Sequence, residues 1–470
     1  MSSTHKIVYG IDDRPPATRA FGLAMQHVLT MFGATVAVPL LLSQRMDISS
    51  QDTARLISAV MLCTGVATLF QSSLGTRLPI IQGTSFAFLP VFESIIDAGH
   101  AQQWSSHQIL QYIAGAIIAG SIAEAVFGFT GLAGKIRRYL SPVVVGPVVM
   151  LIGLALFEHG APKAGTDWAT SGTTILLVIV FSYVLSRRFG MLQILPILSA
   201  IVIVYVACLV FSLTGVLPDN HVSHVSLQSV DNSPWLRVRP SELFLPWGVP
   251  QFRLGFVVAI FAAFLVSIIE SIGDYHACAH MSGGGDPTPK QISRGIGFEG
   301  LGCLFAGLFG GLTSTSYSEN IGLVGLTRVG SRYVVQIAAV ILIFLGLFAK
   351  FGAFAATIPG ALVGGLYCVL FGLISAVGIQ QLAKADLNSQ RNLFIAGFSL
   401  FMGLSVPAYI GGKVPMYQPG AEELLANIPA SLEWVKDIIM AVGKTGMAVA
   451  AIIGIVLDNL IPGTDEERGL

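Results

Sequence analysis

Glu270 sits in the run Val266-Ser267-Ile268-Ile269-Glu270-Ser271-Ile272-Gly273-Asp274, an acid among aliphatic residues. A carboxylate is costly in such a segment, so it marks a path for an ion or a polar ligand. Asp274 follows at i+4 and shares a helix face with Glu270. The structural alternative for both is a pair near a helix end, bonded to neighbouring hydroxyls. A second constellation is Thr313-Ser314-Thr315-Ser316-Tyr317-Ser318-Glu319-Asn320, which puts an acid where a helix begins. There Glu319 either meets a ligand or caps its own helix. Gln26 and His27 fall in the middle of an apolar run, where an imidazole must be hydrogen-bonded and either orients a carboxylate or relays a proton. The orienting role is favoured. Glu299, five residues after Arg294, is a further buried-acid candidate, and Phe86 beside Ser85 offers a ring for stacking on a planar ligand. Glu93, Asp97 and Glu124 are placed nearer the ends of their runs and read as solvated or structural.

The elements that must hold these residues are membrane helices. The chain of 470 residues is 53% hydrophobic and 11% charged, with formal net charge zero. Soluble domains carry about 25% charged residues. No charge excess points to nucleic acid as a partner. The five cysteines form no CxxC pair and read as small core residues. No HExxH, GxSxG or CxxC constellation occurs, so the residues predict neither an enzyme nor a resident metal or other cofactor.

A bilayer needs roughly 20 apolar residues per helix, and about fourteen such runs are present. The polar stretch from Pro218 to Gln251 divides them into two sets of about seven. With the N-terminus inside, about sixteen basic residues are cytoplasmic against about ten outside, which puts both termini in the cytoplasm. An odd number of spans per half inverts the second half, as in many secondary transporters. The third and tenth spans then correspond. Each opens on β-branched, Gly or Ser residues and only afterwards becomes helical, as Leu78-Pro79-Ile80-Ile81-Gln82-Gly83-Thr84-Ser85-Phe86 and Thr313 to Asn320 show. Matched interruptions of this kind point to a binding site at mid-membrane.

These residues resemble one family over nearly the whole chain. The run Glu319-Asn320-Ile321-Gly322-Leu323-Val324-Gly325-Leu326-Thr327-Arg328 matches the signature of the nucleobase–ascorbate transporter family (nucleobase:cation symporter-2). Gln26-His27 and Glu270 match in order. The resemblance implies an all-α polytopic fold of fourteen spans, a 7+7 inverted repeat with short antiparallel strands in spans 3 and 10. It implies a core domain (21–135 and 253–355), a gate domain (136–217 and 356–462) that also forms a homodimer, and an outer loop at 218–252. The tails at 1–20 and 463–470 are cytoplasmic, in a plasma or inner membrane. Substrate then meets Glu270, Glu319, the backbone near Phe86, Ser85 and Ser318, and a pocket lined by Tyr317 and Ala34. Asp274, His27, Asn320, Glu299 and Gln26 support coupling and the pocket.

The expected activity is import of a nucleobase, such as uracil, xanthine or urate, by cation symport with an elevator-type core movement. Carboxylates at Glu270 and Glu319 accept ring N–H groups while helix-end N–H groups serve the carbonyls. Ascorbate, an anion, is opposed by two carboxylates, and the ascorbate branch carries Pro at the Glu319 position. Proton-coupled uracil carriers of the family have His where this chain has Asp274. A proton needs one carboxylate that gains and loses it, whereas sodium needs several oxygen ligands with Glu270 and Asp274 both ionised. Ile268, Ile269 and Ile272 favour the proton; hydroxyls at Ser267, Ser271 and Thr315 would complete a sodium shell. The expectation is H⁺, with a Na⁺-coupled nucleobase or ascorbate carrier as the alternative.

Overall fold

A computed structural model describes residues 7–133, 140–185, 195–411 and 442–469, with Val435, Ile439 and Met440. Helix α1 (Ala17–Arg45) leads to α2 (Ser50–Ser73), whose start is capped by Ser49 accepting from the Asp52 amide. Strand β1 (Gln82–Thr84) and a 3₁₀ turn (Phe86–Phe88) precede α3 (Leu89–Ala101). Helix α4 (Ser106–Phe129) opens on a Ser105/Gln108 capping box. Then come α5 (Pro142–Leu154), α6 (Phe157–Ala164), α7 (Trp168–Ile179) with a π-helical continuation, and α8 (Pro196–Leu213).

After the outer loop the chain forms α9 (Leu254–Met281), α10 (Pro289–Leu308), strand β2 (Ser314–Ser316) and α11 (Ser318–Thr327). It continues with α12 (Arg332–Leu347), α13 (Ala349–Ala356), α14 (Gly360–Leu382), α15 (Gln390–Ile410) and α16 (Gly446–Leu460), before a last helical turn at Asp465–Arg468. Among the described residues, nine helical stretches are long and apolar enough to cross a membrane. The fifth run is broken between α5 and α6, and the eleventh at Phe348 between α12 and α13. The last run falls partly outside the described residues.

Two packing groups emerge. Helix α2 lies against α10, α12 and α13, and α4 against α9 and α10; α14 lies against α5, α6 and α7, and α15 against α16. Most of the apolar surface of Trp168–Leu185 and of α15 is exposed, and Leu176, Tyr183, Phe394 and Phe401 turn outward as lipid-facing side chains do. The outer loop is tied down. Ser223 donates to Asp167 at 2.6 Å, and Trp247 Nε1 to the Gly310 carbonyl at 3.0 Å. Burial alone would raise the Asp167 carboxyl, but bonds from Ser223, Thr170 and Ala169 outweigh it and hold the group below its usual range.

The strands meet antiparallel, with Gln82 opposite Ser316, Gly83 opposite Thr315 and Thr84 opposite Ser314. Gly83 allows this crossing: a methyl group there would lie 2.4 Å from the Tyr317 ring. That ring is held in place because its hydroxyl donates to the Thr84 carbonyl at 2.9 Å. Gly83→Ala is therefore expected to destabilise the protein by about 1–3 kcal/mol through overpacking. The check is a double-mutant cycle on the thermal midpoint of the purified protein: Gly83→Ala should cost clearly less in a Tyr317→Ala background than in the wild type.

Candidate functional site

Each strand hands the chain to a helix that starts inside the protein. Ser85 accepts from the Ala87 amide and opens the turn into α3, while Tyr317 is the N-cap residue of α11 and Glu319 lies in its first turn. The N–H groups of a helix's first turn have no partner within the helix, and two such starts meet at the strand crossing. Helix α9 passes beside it and brings Glu270 and Asp274. Glu270 is half-buried; its Oε2 has no hydrogen-bond partner, and the carboxyl lies within electrostatic reach of Asp274, Glu299 and Glu319. Asp274 is held from both sides, by Ser316 Oγ at 2.8 Å and Ser318 Oγ at 2.8 Å.

Helix α1 closes another wall. Asn320 Nδ2 donates to His27 Nδ1 at 3.1 Å and to the His27 carbonyl at 3.0 Å. The ring's proton must then sit on Nε2, and the contact ties α1 to α11. Unpaired buried polar atoms remain on the elements that meet here, at Gln26 Oε1, Asn320 Oδ1 and the Gln82 amide. Such atoms are where a polar ligand completes the bonding. Phe86 meets Phe371 of α14 edge to face at 5.6 Å, and Phe371 stacks on Tyr367 at 5.4 Å. Ala34 and Ser85 are buried.

Glu299 of α10 is fully buried and accepts from Ser267, Ser271, Tyr275 and Thr315 at 2.8–3.4 Å. Tyr275 in turn accepts from Gln71 Nε2 at 2.6 Å. The expectation of a lining role for Tyr317 meets a different placement: its hydroxyl is bonded to Thr35 and Thr84, holding α1 on β1. Of the two readings of Glu124, solvated or structural, the solvated one does not hold. Glu124 is 1% exposed, in a helix that runs on to Phe129, and not at a solvated end. Glu93 pairs with His159 at 2.6 Å and Asp97 with Arg45 at 2.8 Å, nearer the surface as expected. Phe371 and Tyr275 carry no signal in the sequence reading, and Ser267, Ser271 and Thr315, named there as ion ligands, bond Glu299 instead. Among the described residues no group of three metal-ligating side chains converges.

A cavity of about 850 Å³ opens elsewhere, between α3 and α9 on one side and α6 and α15 on the other, lined by Glu93, His159, Ala259 and Arg253 among others. None of the predicted site residues lines it. We place the site at the strand crossing because the buried carboxylates and the two helix starts converge there.

Broken helices crossing beside an intramembrane acid define a secondary-transporter architecture. Two solved transporters share the fold. The transmembrane domain of the cyanobacterial bicarbonate transporter BicA superimposes with TM-score 0.54 at 17% identity, covering 93% of this chain and all of that one. SLC26A9 does so with TM-score 0.57 at 11% identity, covering 95% and 66%. The family model Xan_ur_permease, described as Permease family, matches residues 19–412. Mouse (Mus musculus) solute carrier family 23 member 1 is 37% identical over 99% of this chain and 82% of its own. Nucleobase-ascorbate transporter 2 of Arabidopsis thaliana is 34% identical over 100% and 91%. The chain belongs to the nucleobase–ascorbate transporter family, and is thus a multi-pass membrane transporter of a small molecule rather than an enzyme.

Proposed function

We propose that this protein imports nucleobases, uracil or an oxopurine such as xanthine or urate, by proton symport. The observation behind this reading is the unpaired Oε2 of Glu270 beside the starts of two half-helices, with Glu319 in the first turn of one of them. A planar ring with alternating N–H and C=O groups suits that set, its N–H groups to Glu270 and Glu319 and its carbonyls to helix-start N–H groups near Phe86 and Ser318. Phe86 closes over the ring, and Asp274, Asn320 and His27 fix the walls. The packing group of α1–α4 and α9–α12 moves as the core (21–135 and 253–355) against a gate (136–217 and 356–462). The gate carries the outward apolar faces that fit lipid or a second copy. The protein is placed in the plasma or inner membrane with both termini cytoplasmic.

The name of the Arabidopsis thaliana relative joins nucleobase to ascorbate. Two carboxylates at the crossing disfavour an anion, so a nucleobase is the better fit. Sodium is the second reading for the ion, favoured by the hydroxyls of Ser267, Ser271 and Thr315. These hydroxyls already donate to Glu299, which supports the proton. The test is uptake against external pH at fixed sodium. Under proton coupling, uptake falls as pH rises and persists without sodium; a strict sodium requirement with little pH dependence reverses the assignment and makes Glu270 and Asp274 sodium ligands.

A further inference from the structure

Glu124 belongs to no part of the site above, yet it is sealed in the protein and neither of its carboxyl oxygens has a hydrogen-bond partner. It projects from α4 where that helix touches α10. A methyl group on Gly300 would stand 2.5 Å from the Ala125 nitrogen and 2.9 Å from the Ser121 carbonyl oxygen. Glu299 adjoins Gly300, and the Glu124 and Glu299 carboxyl groups interact electrostatically. The other titratable groups acting with them are Tyr275, Cys303, Asp274 and Glu270. None of these is a cation. Two buried carboxyl groups without a cation do not both stay ionised. The four donors on Glu299 suit the anion, and the bare Glu124 suits the neutral acid.

Glu299 also has a connection to the substrate site. Ser271 Oγ lies 2.8 Å from both Glu299 oxygens and 3.1 Å from Ser316 Oγ, which lies 2.8 Å from Asp274 Oδ2. These contacts make an unbroken file of oxygens from Asp274 to Glu299.

We propose that Glu124 and Glu299 form a second proton-binding site, separate from the substrate site and connected to Asp274 through the hydroxyls of Ser271 and Ser316. The pair holds one proton at rest, on Glu124. When Asp274 is protonated, its O–H bond breaks toward Ser316 Oγ, the Ser316 proton passes to Ser271 Oγ, and the Ser271 proton passes to Glu299. Asp274 returns to the carboxylate, Glu299 becomes the acid, both hydroxyls are regenerated, and no co-reactant is needed. The transfer along this file rests on the proton-coupling reading; the proton held on Glu124 does not.

The experiment is infrared spectroscopy of the purified full chain in lipid, following the carbonyl bands of protonated carboxyl groups, with protons released from a caged acid. The wild type should show an acid band before the pulse that Glu124→Gln removes. It should also show a second band growing after the pulse, which Glu299→Gln removes and which Ser271→Ala and Ser316→Ala slow or abolish. Survival of the resting band in Glu124→Gln, or unchanged growth in both serine variants, overturns the proposal. Should Glu124→Gln not fold, Glu124→Leu gives the same reading of the resting band, and the serine variants decide the path. Strict sodium-driven uptake would refute the coupling reading, whereas these bands are read without transport and decide the Glu124 proton separately.

Discussion

Glu270→Gln is expected to reduce nucleobase accumulation in proteoliposomes to the level of empty liposomes. The amide keeps the shape and still accepts a hydrogen bond, but it cannot carry the charge that changes between the loaded and the empty carrier. Binding should survive in weakened form. Replacing a charge-assisted bond by a neutral one costs about 1 kcal/mol, roughly fivefold in Kd. The unpaired Oε2 of Glu270 leaves this carboxyl without a structural partner there, so the fold should tolerate the change. Full concentrative uptake by the variant would remove Glu270 from the mechanism.

Glu319→Pro is the second large effect. Glu319 is in the first turn of α11 after the N-cap Tyr317, a position where proline's missing N–H and fixed φ are tolerated. The thermal midpoint should therefore hold. The loss is the carboxylate acceptor, worth about 1.5–3 kcal/mol for a charge-assisted bond, so nucleobase affinity should fall roughly tenfold to a hundredfold. Equilibrium binding of labelled base to the purified variant measures it. Unchanged affinity would reduce Glu319 to a helix cap.

The two interrupted spans were legible because backbone that cannot continue a helix announces itself in residue type. Gly83-Thr84 and Ser314-Thr315-Ser316 are poor helix formers next to good ones, and they lie in the paired strands. Glu270 and Asp274 were legible because an acid in an aliphatic run has few structural reasons to be there. The burial of Glu124 was not legible, because distance from the end of an apolar run says little about solvation. The better signal was lateral: Gly120 and Gly128 stand four residues on either side of Glu124 and mark a face where helices approach closely. A residue on such a face is buried whatever its height in the bilayer. The serine network on Glu299 was unreadable for another reason. Its donors come from α9 and β2 and its carboxylate from α10, and only their packing shows which hydroxyls reach which carboxylate.

The reading as a nucleobase:proton symporter is tested most directly by uptake of labelled uracil, xanthine, urate, adenine and ascorbate into proteoliposomes, with proton and sodium gradients imposed one at a time. Concentrative uptake of uracil or an oxopurine is expected under an inward proton gradient alone, blocked by a protonophore, with no accumulation of ascorbate. Accumulation of ascorbate driven by sodium, with no nucleobase accumulated under either gradient, would contradict that reading.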